Sequence, residues 1–169
     1  MSNVLRASVQ VEGGNEIAGV LSNVSKQLRN SILRRAINAA VLPCLRGARS
    51  NAKSVVNQAA PGDQMAQLMK STGTLARSMG RKVKIYPSGI AVGIVGPRNG
   101  MGRAVTLKSG RQLYMDPVHY SHLVEFGTHR SRAKPFLRPA WESSKGQARL
   151  ALESTIRDGI DKAAAKGKR

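Results

Sequence analysis

Aromatic residues make up only 4% of this 169-residue chain, and cysteine occurs once, at Cys44. A lone cysteine excludes an intramolecular disulfide and any zinc site built from cysteines of one chain, so a reducing compartment is the simplest setting. Acid is scarce as well: 9 Asp and Glu stand against 28 Lys and Arg, a net charge of +19. The excess is spread, with 13 basic and 3 acidic residues before Ile85 and 15 and 6 from there on. Such a field favours an acidic partner, whether nucleic acid, an anionic surface or an acidic protein. No long hydrophobic run occurs either. The longest uncharged apolar stretch, IYPSGIAVGIVGP, is too short for a bilayer and is broken by Pro and Gly. The opening MSNVLRASVQVEGG has no continuous apolar core of a signal peptide. The expectation is a protein without membrane contact, made in the cytoplasm.

What the chain does contain is 41% hydrophobic residues against 22% charged, enough for a folded core that must be aliphatic and alanine-rich. The length suits a single domain over 1–169 of α+β class: a long N-terminal amphipathic helix and a C-terminal helix packed on a small antiparallel sheet, with an extended hairpin arm. VLRASVQV, from Val4 to Val11, reads as a strand ended by Gly13 and Gly14. With Asn15 as N-cap, Ile17, Leu21, Val24, Leu28 and Ile32 recur at steps of three and four, predicting a helix to about Ala52. Pro43 predicts a kink or break near Ala39 to Leu42. Arg34, Arg35, Arg46 and Arg49 mark its polar face. A loop follows around Gln58 to Gln64, then a short helix or turn in STGTLARSM. RKVKIYP and IAVGIVG alternate and meet at Pro87-Ser88-Gly89, the clearest hairpin in the sequence, with Val83 and Ile85 on one face and Ile90, Val92 and Ile94 sharing another.

Between Pro97 and Pro117 the sequence turns Gly-rich and basic, and AVTLK and RQLYM around Ser109-Gly110 form a second, more exposed hairpin. Arg98, Arg103, Lys108 and Arg111 make this arm a candidate contact surface toward a neighbouring subunit or DNA. Tyr120, Leu123 and Val124 suit one short helix, which Gly127 terminates in a left-handed conformation. A last helix from Pro139 to about Ala165 buries Trp141, Ala148, Leu152, Ile156 and Ile160, and the tail 166–169 frays.

The most concentrated chemistry lies between His119 and Glu142, which holds both Phe residues, the only Trp and all three His. As catalysis it is thin. His119, His122 and Glu125, at i, i+3 and i+6, suggest a metal face with no companion motif. Cys44, beside Pro43 on an apolar segment, reads as core packing rather than a nucleophile. The glycines at 93, 96, 100 and 102 match no nucleotide-binding spacing. Neither an enzyme nor a cofactor is expected. As architecture the segment is rich. Arg138 precedes a proline and so favours extended geometry, Pro139 suits the first helical position, and Glu142 would then lie in the first turn. Phe126 and Gly127 fix the exit of the preceding helix, Pro135 stiffens the approach, and the basic linker Thr128 to Lys134, with Arg130 and Arg132, lies between. Burial of Phe126, Phe136 and Trp141 would contribute about 1.5–3 kcal/mol each. Glu125, an acid among bases, would pair with Arg138, with Arg130 or with an Arg of an adjacent subunit.

Tyr120-x-x-Leu123-Val124-Glu125-Phe126-Gly127-Thr128, a short basic linker, and Pro135-Phe136-Leu137-Arg138-Pro139-Ala140 together resemble the hallmark of the tail-component family of lambda-like and HK-type tailed bacteriophages. Thr72-Gly73-Thr74-Leu75-Ala76-Arg77-Ser78 and Val92-Gly93 stand in the family's order ahead of it, and the resemblance spans Ile17 to Ile160. The larger basic arm between Gly96 and Pro117 and the high net charge depart from the family. The resemblance implies a structural virion protein, assembled in the host cytoplasm into a neck or tail ring around the DNA channel. Six-fold symmetry is favoured over twelve-fold. Its partners would be further copies, other connector, tail-terminator or tail-tube proteins, and genomic DNA. The alternative is a sequence-nonspecific DNA-binding protein whose Lys and Arg contact phosphates without reading bases.

Overall fold

A computed structural model describes residues 26–57, 73–107, 109–129 and 132–167. The expected strand Val4 to Val11, the helix start at Asn15, the loop Gln58 to Gln64, Thr72, Lys108, Arg130 and the last two residues of the tail lie outside these. Within them the fold is α+β: α1 (Lys26–Asn57), α2 (Thr74–Ser78), β1 (Met79–Ile85), β2 (Ala91–Pro97), β3 (Arg103–Thr106), β4 (Gln112–Met115), α3 (Pro117–Phe126) and α4 (Leu137–Gly167).

The middle layer is α1, about 48 Å long at 1.5 Å per residue. One of its sides runs antiparallel along α4. A Cβ added at Gly47 would lie 3.2 Å from Ala140 Cβ, one added at Gly159 would lie 2.8 Å from Ile32, and Asn51 Nδ2 donates to the Phe136 carbonyl at 3.1 Å. Small residues at the seam let the two backbones approach closely. Another side takes the first hairpin, where a Cβ at Gly93 would fall 2.5 Å from Val41 and 2.7 Å from Ile37, so only glycine fits against the helix. Arg49 donates to the Met79 carbonyl at 2.9 Å and Arg81 to Asn38 Oδ1 at 3.0 Å, fastening β1 to α1. The helix is continuous through Pro43, so no break occurs there, and it reaches Asn57 rather than Ala52. Packing on two sides holds a helix whose proline removes one backbone hydrogen bond.

Both hairpins form as antiparallel two-stranded sheets. Val83 pairs with Gly93 and Ile85 with Ala91 on the face toward α1, while Lys84 pairs with Val92 and Lys82 with Ile94 on the opposite face. In the arm, Val105 pairs with Leu113. Those two side chains pack against the core and Met115 lies within it, so the arm is docked at its root. The core gathers Val41, Cys44, Leu45, Ala48, Leu75, Met79, Val95, Met115, Tyr120, Phe136 and Ala140.

Candidate functional site

The hallmark segment builds a clamp around one carboxylate. Glu125, at the end of α3, is 4% exposed, and it points away from the surface. Its Oε2 accepts the backbone N–H of Phe136 at 2.8 Å and of Leu137 at 2.9 Å, and its Oε1 accepts that of Arg138 at 2.9 Å. The first four N–H groups of any α-helix lack intrahelical acceptors. Counted from Phe136, the residue before the helix, Glu125 satisfies the first three of them, and the fourth falls on Pro139, which has no N–H. Every orphan donor at that helix start is accounted for, and the negative charge sits where the helix dipole favours it.

This geometry revises several expectations. The last helix begins at Leu137, so Pro139 is its third residue rather than its first, and Arg138 is helical rather than extended. The Glu125 cap outweighs the steric bias that a following proline imposes. Glu142 consequently falls beyond the first turn and pairs with Lys145 at 2.7 Å, which lowers its pKa first through that hydrogen bond. Among the described residues Glu125 takes backbone partners and forms no ion pair with Arg138, while Arg130 lies outside them. Nor does it complete a metal face with His119 and His122: among the described residues no cluster of three such ligands forms.

The brackets differ in burial from their expected roles. Phe136 is fully buried and Trp141 packs half-buried against the core, but Phe126 is 66% exposed and Leu123 is exposed too. The α3 residues that face inward are Pro117, Tyr120, Ser121 and Glu125, with Val124 packed against the core beside them, so Leu123 and Phe126 lie off the inward stripe. Gly127 has the expected positive φ, at 77°, but ψ is −179°, an extended conformation that essentially only glycine adopts. Its N–H donates to the Leu123 carbonyl at 2.9 Å, and the Lys134 N–H to the Val124 carbonyl at 2.8 Å. With the Glu125 bonds these close the base of the basic linker, leaving Thr128, Arg132 and Pro135 exposed and Lys134 half-buried.

Two further residues complete the site. Asp116, missed by the sequence reading, caps α3 by accepting the Val118 N–H at 3.1 Å, with Pro117 at the first helical position, and its Oδ2 accepts the Gly100 N–H at 3.2 Å. The Asp-Pro pair before an apolar run was a readable signal. The Tyr120 hydroxyl lies 3.1 Å from Thr74 Oγ1, joining α3 to α2. Burial chiefly raises the Tyr120 pKa, the Thr74 bond opposes that rise, and the Asp116 charge adds to it. Cys44 is buried in the core, where desolvation pushes its thiol pKa up against a hydrogen bond from Ser144.

Exposed acid is confined to one element of the described surface, α4, which also carries Arg138, Lys145, Arg149, Arg157 and Lys162. Asp116 and Glu125 are buried as caps, and the remaining described acids, Glu142, Glu153, Asp158 and Asp161, all lie on α4. Elsewhere the exposed charges are basic: Arg34 and Arg35 on α1, Arg81, Lys82 and Lys84 on β1, and Arg98, Arg103 and Arg111 around the arm. No described helix is long and apolar enough to cross a membrane.

Comparison with known proteins gives no match to a protein-family model, a curated protein or a solved structure. The likeness to the phage family therefore rests on the quoted residues alone.

Proposed function

We propose that this chain is a structural virion protein of a tailed bacteriophage, forming a ring at the head–tail junction as a tail-completion or head–tail joining component around the DNA channel. The observation that carries the reading is the Glu125 clamp. The residues that resemble the family hallmark, Tyr120, Glu125, Gly127, Phe136 and Pro139, join α2, α3 and α4 into one bonded unit rather than lining a cleft. A ring of head-to-tail contacts needs a rigid body of this kind with protruding elements that engage the next copy. The two hairpins and the clamped basic linker are such elements. Six copies match a tail-derived symmetry, and the remaining partners are the neighbouring connector and tail proteins.

Gold-labelled antibody against the chain, applied to purified tailed particles and viewed by negative-stain electron microscopy, tests this directly. Label at the junction of head and tail is the expected result. Its absence from intact and disrupted particles alike overturns the reading.

A second reading, sequence-nonspecific DNA binding, draws on the acid-free basic surface of α1 and the hairpins. It requires affinity for duplex DNA that falls steeply with salt. Charge reversal at Arg34 and Arg35 separates the two. Particles that assemble but do not function favour DNA binding, whereas failed assembly with a folded subunit favours the ring.

A further inference from the structure

The outer face of the first hairpin carries exposed Ile90, Lys82 and Lys84 beside half-buried Val92 and Ile94, and it combines two chemistries. Gly93 faces α1, so the alternation of β2 turns Val92 and Ile94 away from it, beside their cross-strand partners Lys84 and Lys82. At the tip Ile90 is 61% exposed and Tyr86 is also exposed, with the Lys84 ammonium 4.7 Å from the Tyr86 ring centre. An aliphatic row edged by lysines is a poor match for a phosphate backbone, because burial of Ile90 and Val92 against a polyanion removes no apolar surface of the partner from water. It suits a protein surface that is apolar and acidic together.

Only α4 offers that combination among the described residues. Leu150 is 68% exposed on it, and every exposed acid lies along the same helix. Asp161 falls three turns beyond Leu150 on one face, with Asp158 at its flank and Arg157 the one cation between them. Asp158 and Asp161 form no ion pair among the described residues, whereas Glu142 and Glu153 are engaged within their own helix. The lengths agree: Leu150 to Asp161 spans about 16 Å of helix and Ile90 to Ile94 about 13 Å of strand. One turn before Leu150 stands Gly146, with nothing within 4 Å of an added Cβ. Glycine is a poor helix former, and nothing inside the subunit calls for it there, but a closely approaching neighbour would.

We infer that the outer face of the β1–β2 hairpin of one copy docks on the Leu150 to Asp161 face of α4 of the next, a head-to-tail contact between copies of this chain. The inference rests on the ring reading above and assigns its two complementary surfaces. The hairpin patch is small beside a standard interface of about 800 Å² per partner, so a single contact is weak, and closure of a ring, in which each copy makes the contact twice, supplies the remaining stability.

The test uses two full-length single-cysteine chains in a Cys44→Ala background, one carrying Ile90→Cys and the other Leu150→Cys, each shown to be folded by circular dichroism. Under mild oxidation the mixture should form the mixed disulfide dimer about tenfold or more faster than either chain alone forms its own dimer. Lys84→Glu in the first chain should abolish that excess, and Asp161→Lys in the second should restore it. Equal rates for mixed and like pairs overturn the contact. Sedimentation velocity on the unmodified chain then separates the two ideas: oligomers without the mixed disulfide move the contact elsewhere and leave the ring standing, whereas a monomer at every concentration removes the contact and leaves the ring to be decided by the antibody label on particles.

Discussion

Two helices of this protein begin on buried carboxylates, but they obtain them differently. The start of α3 is written locally: Asp116 precedes Pro117 and accepts the N–H two residues ahead. The start of α4 depends on another element, because Glu125 reaches it from 11 residues upstream at the end of α3. The first helix can nucleate on its own sequence, whereas the second has its first turn satisfied only once α3 is seated. A local cap sets a boundary. A long-range cap also couples two elements, and it makes the order of α3 a condition for the order of α4.

Removing the long-range cap should break this contrast most severely. Glu125→Ala leaves three N–H groups at the buried helix start without their acceptor, and a loss of about 3 kcal/mol or more is expected in urea unfolding. Glu125→Gln should recover only part of it, since one oxygen becomes a donor facing other donors. Gly127→Ala comes next. Its φ of 77° with extended ψ should cost about 2 kcal/mol, read as a lower midpoint at unchanged slope. Asp116→Ala should cost about 1 kcal/mol, while Asp116→Asn keeps the Val118 cap through its one carbonyl oxygen but turns its NH2 toward the Gly100 N–H, so it should recover only part of that. That conservative pair sharpens the comparison, because the amide at Asp116 can leave the helix cap in place and lose only the Gly100 bond, whereas at Glu125 either oxygen lost is an acceptor for the helix start.

The smallest effect concerns pH. Tyr120 has a raised pKa in the folded state, so the folded protein holds that proton where the unfolded chain releases it. Stability from this group is therefore complete below about pH 10 and declines as pH rises through the ordinary tyrosine range and beyond. Tyr120→Phe should flatten that alkaline decline and cost about 1 kcal/mol at neutral pH through the lost bond to Thr74. Thermal unfolding at neutral and alkaline pH measures both.

What could be read from the sequence follows the same division between local and distant causes. Periodicity located both long helices, and alternation with turn residues located both hairpins, because those signals lie within a few residues of what they determine. Val83 and Ile85 do share the inward face. The start of α4 was misplaced by two residues because the acid that sets it lies in a different element. Phe126 was expected inside together with Phe136 and Trp141, the aromatic side chains of the segment, yet the helix turns Tyr120, Ser121 and Glu125 inward, since that rotation brings the carboxylate to the α4 amides. At that place hydrogen-bond satisfaction outweighed hydrophobicity, and no apolar pattern records such a preference.

The solitary thiol of Cys44 lies midway along the seam between α1 and α4, shielded from water and held in its protonated form by burial. A thiol reagent can reach it only while the seam is open, so the labelling rate is a clock that counts those openings. With one such group per chain, each modification adds a single mass increment and reports a single location. The protein thus carries its own native probe of how often its two longest helices part, and any assembly that stiffens the seam will slow that clock.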